Sequence, residues 1–375
     1  MTAVPIDRRF AVTLAGLIVF GLAMVGSASA PLDSHRGAIV FASAARQAIY
    51  LVGGLGAMAF CVNLGRNLRI QRMAYVFHAV ASLIVLLTAS PLGVKTLGAQ
   101  RWIDLGLMTF QPSELLKPSM VLFLAARSLA PHKAAAHWLI TIVGIVFPLW
   151  WVVEVQSDLG TGLCIALGGS LTALMAGLPL SLFMVAALGG AAGLGSLAMV
   201  DGYRRERLLA YFAGTDPTTG PITQTGQALL AIGHGGLIGE GFGMGSQKFG
   251  HVAVAHTDFI FAIVAEEFGF IGGSAVICAF LYLGWRGLIW SQRLEDPFAR
   301  AAMSGLVGGL VGQAMLNIGV AVTLLPVTGV PLPFVSLGGS GILGACITTG
   351  LFMGLGLRIE RRKRPRTPHV PDLSR

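Results

Sequence analysis

The stretch Phe10 to Ala30, FAVTLAGLIVFGLAMVGSASA, runs for 21 residues without a single charge. As a helix rising about 1.5 Å per residue it would be roughly 30 Å long, the thickness of bilayer hydrocarbon. Arg8 and Arg9 stand before it and it ends Ala28-Ser29-Ala30, so it also has the outline of a secretory leader. Its length is that of a full span, however, and further apolar runs follow it. It is therefore read as an uncleaved first helix.

Working outward, apolar runs of about 17 to 25 residues recur along the chain. Charged residues are only 11% of the 375, hydrophobic residues are 54%, and the mean hydropathy is +0.75. A soluble protein of this size needs far more charge to cover its surface. The 51 glycines fit the same picture, because small residues let membrane helices approach closely. The expected fold is all-α and polytopic, with about ten transmembrane helices. Their ranges are 10–30, 47–64, 73–90, 113–129, 137–154, 159–177, 180–200, 258–285, 301–323 and 338–357. Residues 1–357 form one transmembrane domain in this reading, with a long extracytoplasmic loop over 201–257 between helices seven and eight. Residues 358–375 form a basic, disordered tail.

Orientation follows from the basic residues of short loops. Arg8 and Arg9, then Arg66, Arg69 and Arg72, then Lys133, then Arg286, Arg293 and Arg300 all fall at ends on one side. The tail adds seven Lys or Arg against two acids, five of the chain's nine net positive charges. That side is the cytoplasm, so both termini are cytoplasmic. The basicity speaks of topology and anionic lipid, not nucleic acid. All four cysteines lie in apolar runs without a C-x-x-C, as buried small hydrophobes do.

Charge inside a span is costly and needs a partner or a purpose. Glu114 and Lys117, three apart where span four begins, share a helix face and form a favourable pair, structural or functional. Glu154 and Asp158 lie near the outer end of span five, Asp158 within a turn-like break, and Arg46 is placed to neutralise one of them. Gln313 and Asn317, four apart in span nine, are set to hydrogen-bond between helices. The densest constellation is His256-Thr257-Asp258-Phe259 followed by Glu266-Glu267, where the long loop becomes span eight. Thr257 or Asp258 would cap that helix, and its positive end would keep the Asp258 carboxylate ionised, as a base or a cation ligand requires. A cap and nothing more is the bland alternative. Span ten opens on Leu332-Pro333-Phe334-Val335-Ser336-Leu337-Gly338-Gly339-Ser340, whose prolines oppose helix and whose glycines permit close backbone approach.

Four blocks in this order resemble the SEDS family (shape, elongation, division and sporulation), RodA and FtsW among its members. They are Gly98-Ala99-Gln100-Arg101-Trp102-Ile103 with Phe110-Gln111-Pro112-Ser113-Glu114, Gln156-Ser157-Asp158-Leu159-Gly160-Thr161, the aspartate block, and Pro331-Leu332-Pro333-Phe334 with Ser336, Gly338, Gly339 and Ser340. The resemblance runs from about Arg46 to Leu357. Val252-Ala253-Val254-Ala255 departs from the Pro-Glu that many relatives carry before the histidine, and Leu337 from their usual tyrosine.

The resemblance implies an inverting peptidoglycan glycosyltransferase of the bacterial inner membrane. Such an enzyme polymerises lipid II at the outer face, releasing undecaprenyl diphosphate, during elongation or division. It implies Asp258 as the essential carboxylate, base or ligand to a Mg or Mn ion. Arg101, Glu114, Lys117, His256 and Ser336 would line the substrate, and Arg46 and Asp158 would be structural polar residues. A class B penicillin-binding protein that crosslinks the strands would be its partner, among other elongation or division proteins. The rivals are a lipid II flippase and a non-catalytic scaffold. A carrier's key site is expected near the membrane midplane, whereas Asp258 lies at the outer mouth.

Overall fold

The computed structural model describes residues 7–35, 42–96, 99–104, 106, 109–129, 135–181, 184, 205, 224–249 and 257–363. Among these, ten α-helices are formed: α1 (Arg8–His35), α2 (Ala42–Arg66), α3 (Ile70–Leu86), α4 (Ser113–Ser128), α5 (Ala135–Trp150), α6 (Leu159–Met175), α7 (Gln224–Gly235), α8 (Ile260–Gln292), α9 (Pro297–Ala321) and α10 (Gly339–Lys363). Six stretches are long and apolar enough to cross a membrane, from α1, α2, α3, α8, α9 and α10, and α4 to α6 are shorter helices at the expected positions. The chain is a multi-pass membrane protein. Span seven, His256 and most of the long loop lie outside the described residues. Val19, Val52 and Val76 stand exposed on the outside of the bundle, where hydrocarbon and not water is the solvent.

Helix ends follow local chemistry. Asp296 caps α9 by accepting from the Phe298 N–H, with Pro297 at the first helical position. Asp158 caps α6 through Thr161 N–H. The seam between α2 and α10 is built on small residues: a Cβ on Gly65 would lie 2.9 Å from the Cα of Gly354, and Gly54 faces Cys346. Cys61, Cys164 and Cys346 are buried as expected, while Cys278 is exposed.

Two features add to the all-helical expectation. The segment after α3 folds as a three-stranded antiparallel sheet, β1 (Gly93–Thr96), β2 (Ala99–Asp104) and β3 (Thr109–Phe110), with Val94 opposite Trp102 and Ile103 opposite Phe110. These strands are too short for a period-two pattern to stand out, and Gly106, at φ 78°, makes the turn. The long loop in turn holds α7 and a glycine-rich turn, Gly236 to Phe249, laid against α8.

The basic ends of α1, α8 and α10 gather at one end of the bundle, while Lys133 lies outside the described residues. Asp7 pairs with Arg286, Phe10 stacks on Phe352, and Trp290 meets the same ring edge-on, so the start of α1 and the ends of α8 and α10 lie together. Asp258 lies ahead of α8, at that helix's opposite end.

Candidate active site

Asp258 occupies the turn Thr257–Phe259 before α8. The sequence led to the expectation that Thr257 or Asp258 caps this helix. The structure corrects it: the cap position is Phe259, whose side chain makes no capping bond. What holds the turn is backbone. Ser336 Oγ donates to Thr257 O at 2.6 Å, and Asn317 Nδ2, from α9, donates to both Asp258 O and Val330 O at 2.8 Å. The carboxylate is thereby left to the site, with the Thr257 side chain bonded to it. Its pKa is pushed up to about 6, first by burial and then by the nearby charge of Asp158, while Arg101 and Thr257 pull the other way.

The Pro331–Ser340 block is a folded turn packed between helices. Phe334 takes φ 64°, and a Cβ on Gly21 of α1 would meet its carbonyl at 2.2 Å, so only glycine lets α1 pass this close. Gln47 of α2 clamps the turn by donating to Ser336 O and accepting from Gly338 N–H, both at 3.1 Å. Ser336 Oγ also accepts from Leu332 N–H at 2.9 Å, so this hydroxyl is engaged within the protein on both sides.

Asp158 is buried, with four contacts: Thr161 N–H at 3.0 Å, Thr161 Oγ1 at 2.9 Å, Gln111 Nε2 at 3.0 Å, and the Arg101 guanidinium at 3.9 Å. Arg101, on β2, donates through Nε to Gln156 O at 2.9 Å and through Nη2 to Ser157 O, bridging the sheet to the α6 turn. The cation facing Asp158 is therefore Arg101, while Arg46 is exposed. Ser157 at φ 52° shapes this turn.

Deeper in, Lys117 Nζ meets Glu114 Oε1 at 2.6 Å and Gln313 Oε1 at 2.9 Å, and Gln313 Nε2 donates to Pro331 O at 2.9 Å. The expected pair is formed, and Gln313 and Asn317 do bond across elements. Glu114, Lys117 and Gln313 border a cavity of about 30 Å³ between α4, α6, α9 and α10, also lined by Cys164, Gly344 and Thr348. It has room for about a water molecule, not a sugar. Asp258 lies instead within the electrostatic reach of Arg101 and Asp158.

Sequence reasoning missed one functional-looking group. Lys248 is buried against Glu267, with Nζ 2.8 Å from Oε1 and 2.9 Å from Ser27 Oγ of α1. The readable signal was a lone cation in a glycine-rich segment upstream of two adjacent acids.

A family model described as cell cycle protein, covering FtsW, RodA and SpoVE, matches residues 8–362. Stage V sporulation protein E of Bacillus subtilis is 33% identical over 346 residues, covering 90% of this chain and 93% of its own. A probable peptidoglycan glycosyltransferase FtsW of a Synechocystis species is 37% identical over 309 residues, 82% of this chain and 78% of that one. A solved chain from work on the structural coordination of polymerization and crosslinking by a peptidoglycan synthase complex superposes with a TM-score of 0.72. It is 27% identical and covers 96% of this chain and 98% of that one.

Proposed function

This chain belongs to the FtsW/RodA/SpoVE family of cell cycle proteins, and on that premise we propose that it is a peptidoglycan glycosyltransferase. Its substrate is lipid II, which it polymerises at the outer face of the bacterial cytoplasmic membrane, in elongation or division. The observation that carries this reading is the Asp258 carboxylate: it caps no helix, its turn is held rigidly by Ser336 and Asn317, and it faces Arg101.

In the reaction the 4-hydroxyl of one lipid II attacks the anomeric carbon of the growing strand. The bond to undecaprenyl diphosphate breaks with inversion. Asp258, as carboxylate, takes the hydroxyl proton. Arg101 turns positive charge toward the departing diphosphate while its other donors anchor it to the Gln156 and Ser157 carbonyls. Glu114 and Lys117 shape the wall beneath. Were a Mg or Mn ion to take part, Asp258 would be its protein carboxylate in place of acting as base, since Asp158 is engaged by Thr161 and Gln111. When bound it would neutralise diphosphate charge.

Likeness to a chain from a peptidoglycan synthase complex supports a class B penicillin-binding protein as partner. The purified chain, incubated in detergent with lipid II and that partner, is expected to yield glycan polymer. Detergent removes the two compartments a flippase needs, so polymer there separates the two readings. An absence of polymer with a folded, partnered protein would overturn the proposal.

A further inference from the structure

A second set of ionisable groups closes where the glycine-rich turn after α7 meets α8. Backbone bonds join the two: Glu240 N–H to Glu266 O and Gly241 N–H to Glu267 O at 3.0 Å, and Phe270 N–H to Gly236 O at 2.8 Å. Of the two adjacent acids, Glu267 is paired with Lys248 and also takes Ser27 Oγ and Gly243 N–H. Glu266 meets no cation among the described residues. It is fully buried, and its Oε1 accepts from Ser246 N–H at 2.8 Å, Ser246 Oγ at 3.2 Å and Gln247 N–H at 3.0 Å. Its Oε2 has no hydrogen-bond partner. A buried carboxylate in that state is costly unless a cation meets it.

Two exposed residues bring ligand atoms to it. His234, in the last turn of α7, and Glu240, in the turn beyond, place a ring nitrogen and a carboxylate oxygen so that all three ligand atoms lie within 4.8 Å of one another. Metal–ligand bonds of about 2.0–2.2 Å need ligand atoms no more than about 4.4 Å apart, which a small rotation of either exposed side chain supplies. One imidazole and two carboxylates suit a first-row divalent ion, zinc or manganese, better than magnesium or calcium, which prefer oxygen alone.

We propose that His234, Glu240 and Glu266 bind one divalent transition-metal ion that fastens the glycine-rich turn to α8. The site contains none of the groups assigned to glycosyl transfer and stands whether or not Asp258 is the base. The test uses the full chain without a histidine tag, stripped with chelator in detergent and titrated with zinc chloride or manganese chloride, magnesium and calcium chlorides serving as comparators. Bound metal is counted by mass spectrometry and melting is followed in parallel. The expected result is one equivalent of zinc or manganese per chain with a raised melting temperature, neither magnesium nor calcium doing the same. Affinity should fall about tenfold or more in His234→Ala/Glu240→Gln and in Glu266→Gln. Melting of each metal-free variant, compared with the metal-free wild type, reports folding independently. Equal binding by a folded variant would place the metal on other residues, and retention of no metal by the wild type would leave the three side chains without one. Either result overturns the proposal.

Discussion

Asp258 is positioned by its own carbonyl and that of Thr257, which separates what the residue does for the fold from what it does in the site. Asp258→Asn keeps every backbone bond of the turn and removes no cap. It should express and melt like the parent while polymerisation falls ~10²–10⁴-fold or more, the loss usual for a general base. Wild-type polymer from the Asn variant would remove Asp258 from the chemistry. The carboxyl's pKa of about 6, raised by burial and Asp158, adds a pH prediction. The base is the ionised form, present above that value, so the polymerisation rate should decline as pH drops through about 6. A rate unchanged from about pH 8 to about pH 5 would exclude a base of this pKa. Ser336 was expected to touch substrate, but its hydroxyl joins Thr257 O to Leu332 N–H. Ser336→Ala should therefore lower stability by about 1–3 kcal/mol, as melting in detergent would read, and slow polymerisation by loosening the Asp258 turn. The sequence pointed to Asp258 and Ser336 through their blocks, yet their division of labour depends on which atoms face which.

The helical elements were legible because a bilayer demands about 20 apolar residues from each, a requirement written locally. Starts and stops moved by a few residues, as where α2 begins at Ala42 and α8 runs to Gln292. Elements shorter than that demand were not legible: the strands of the 93–110 sheet, and the π-helical turn Trp151–Val155 that leads α5 into the Asp158 break. The Glu114–Lys117 pair, by contrast, follows from i, i+3 spacing alone, while its link to Gln313 on α9 does not. Both charges are largely out of solvent. Removing either alone should destabilise by about 3–5 kcal/mol, because the other is left unpaired. Glu114→Gln with Lys117→Met should cost less than the sum of the two. Strictly additive melting shifts across the four proteins would mean the contact has no energetic content.

Across the whole bundle, the basic ends of α1, α8 and α10 cluster through Asp7–Arg286 and Phe10–Phe352, with Asp258 ahead of the far end of α8. If the basic loops are cytoplasmic, Asp258 faces outward. In a cysteine-free background, a cysteine introduced at Thr219 should react with an impermeant thiol reagent in intact cells, and one at Thr367 should not. The reverse pattern would invert the map. That this chain is a multi-pass membrane bundle with the blocks of its family was legible in the sequence alone. Those properties are sums over local composition and spacing. That Arg101 answers Asp158, that the α8 cap falls on Phe259, that Ser336 bonds backbone and that Lys248 finds Glu267 came from packing. The physical reason is the same in each case. A buried polar atom takes whichever partner packing brings near it, 19 residues away in the chain for Lys248 and Glu267 and 79 for Ser336 and Thr257.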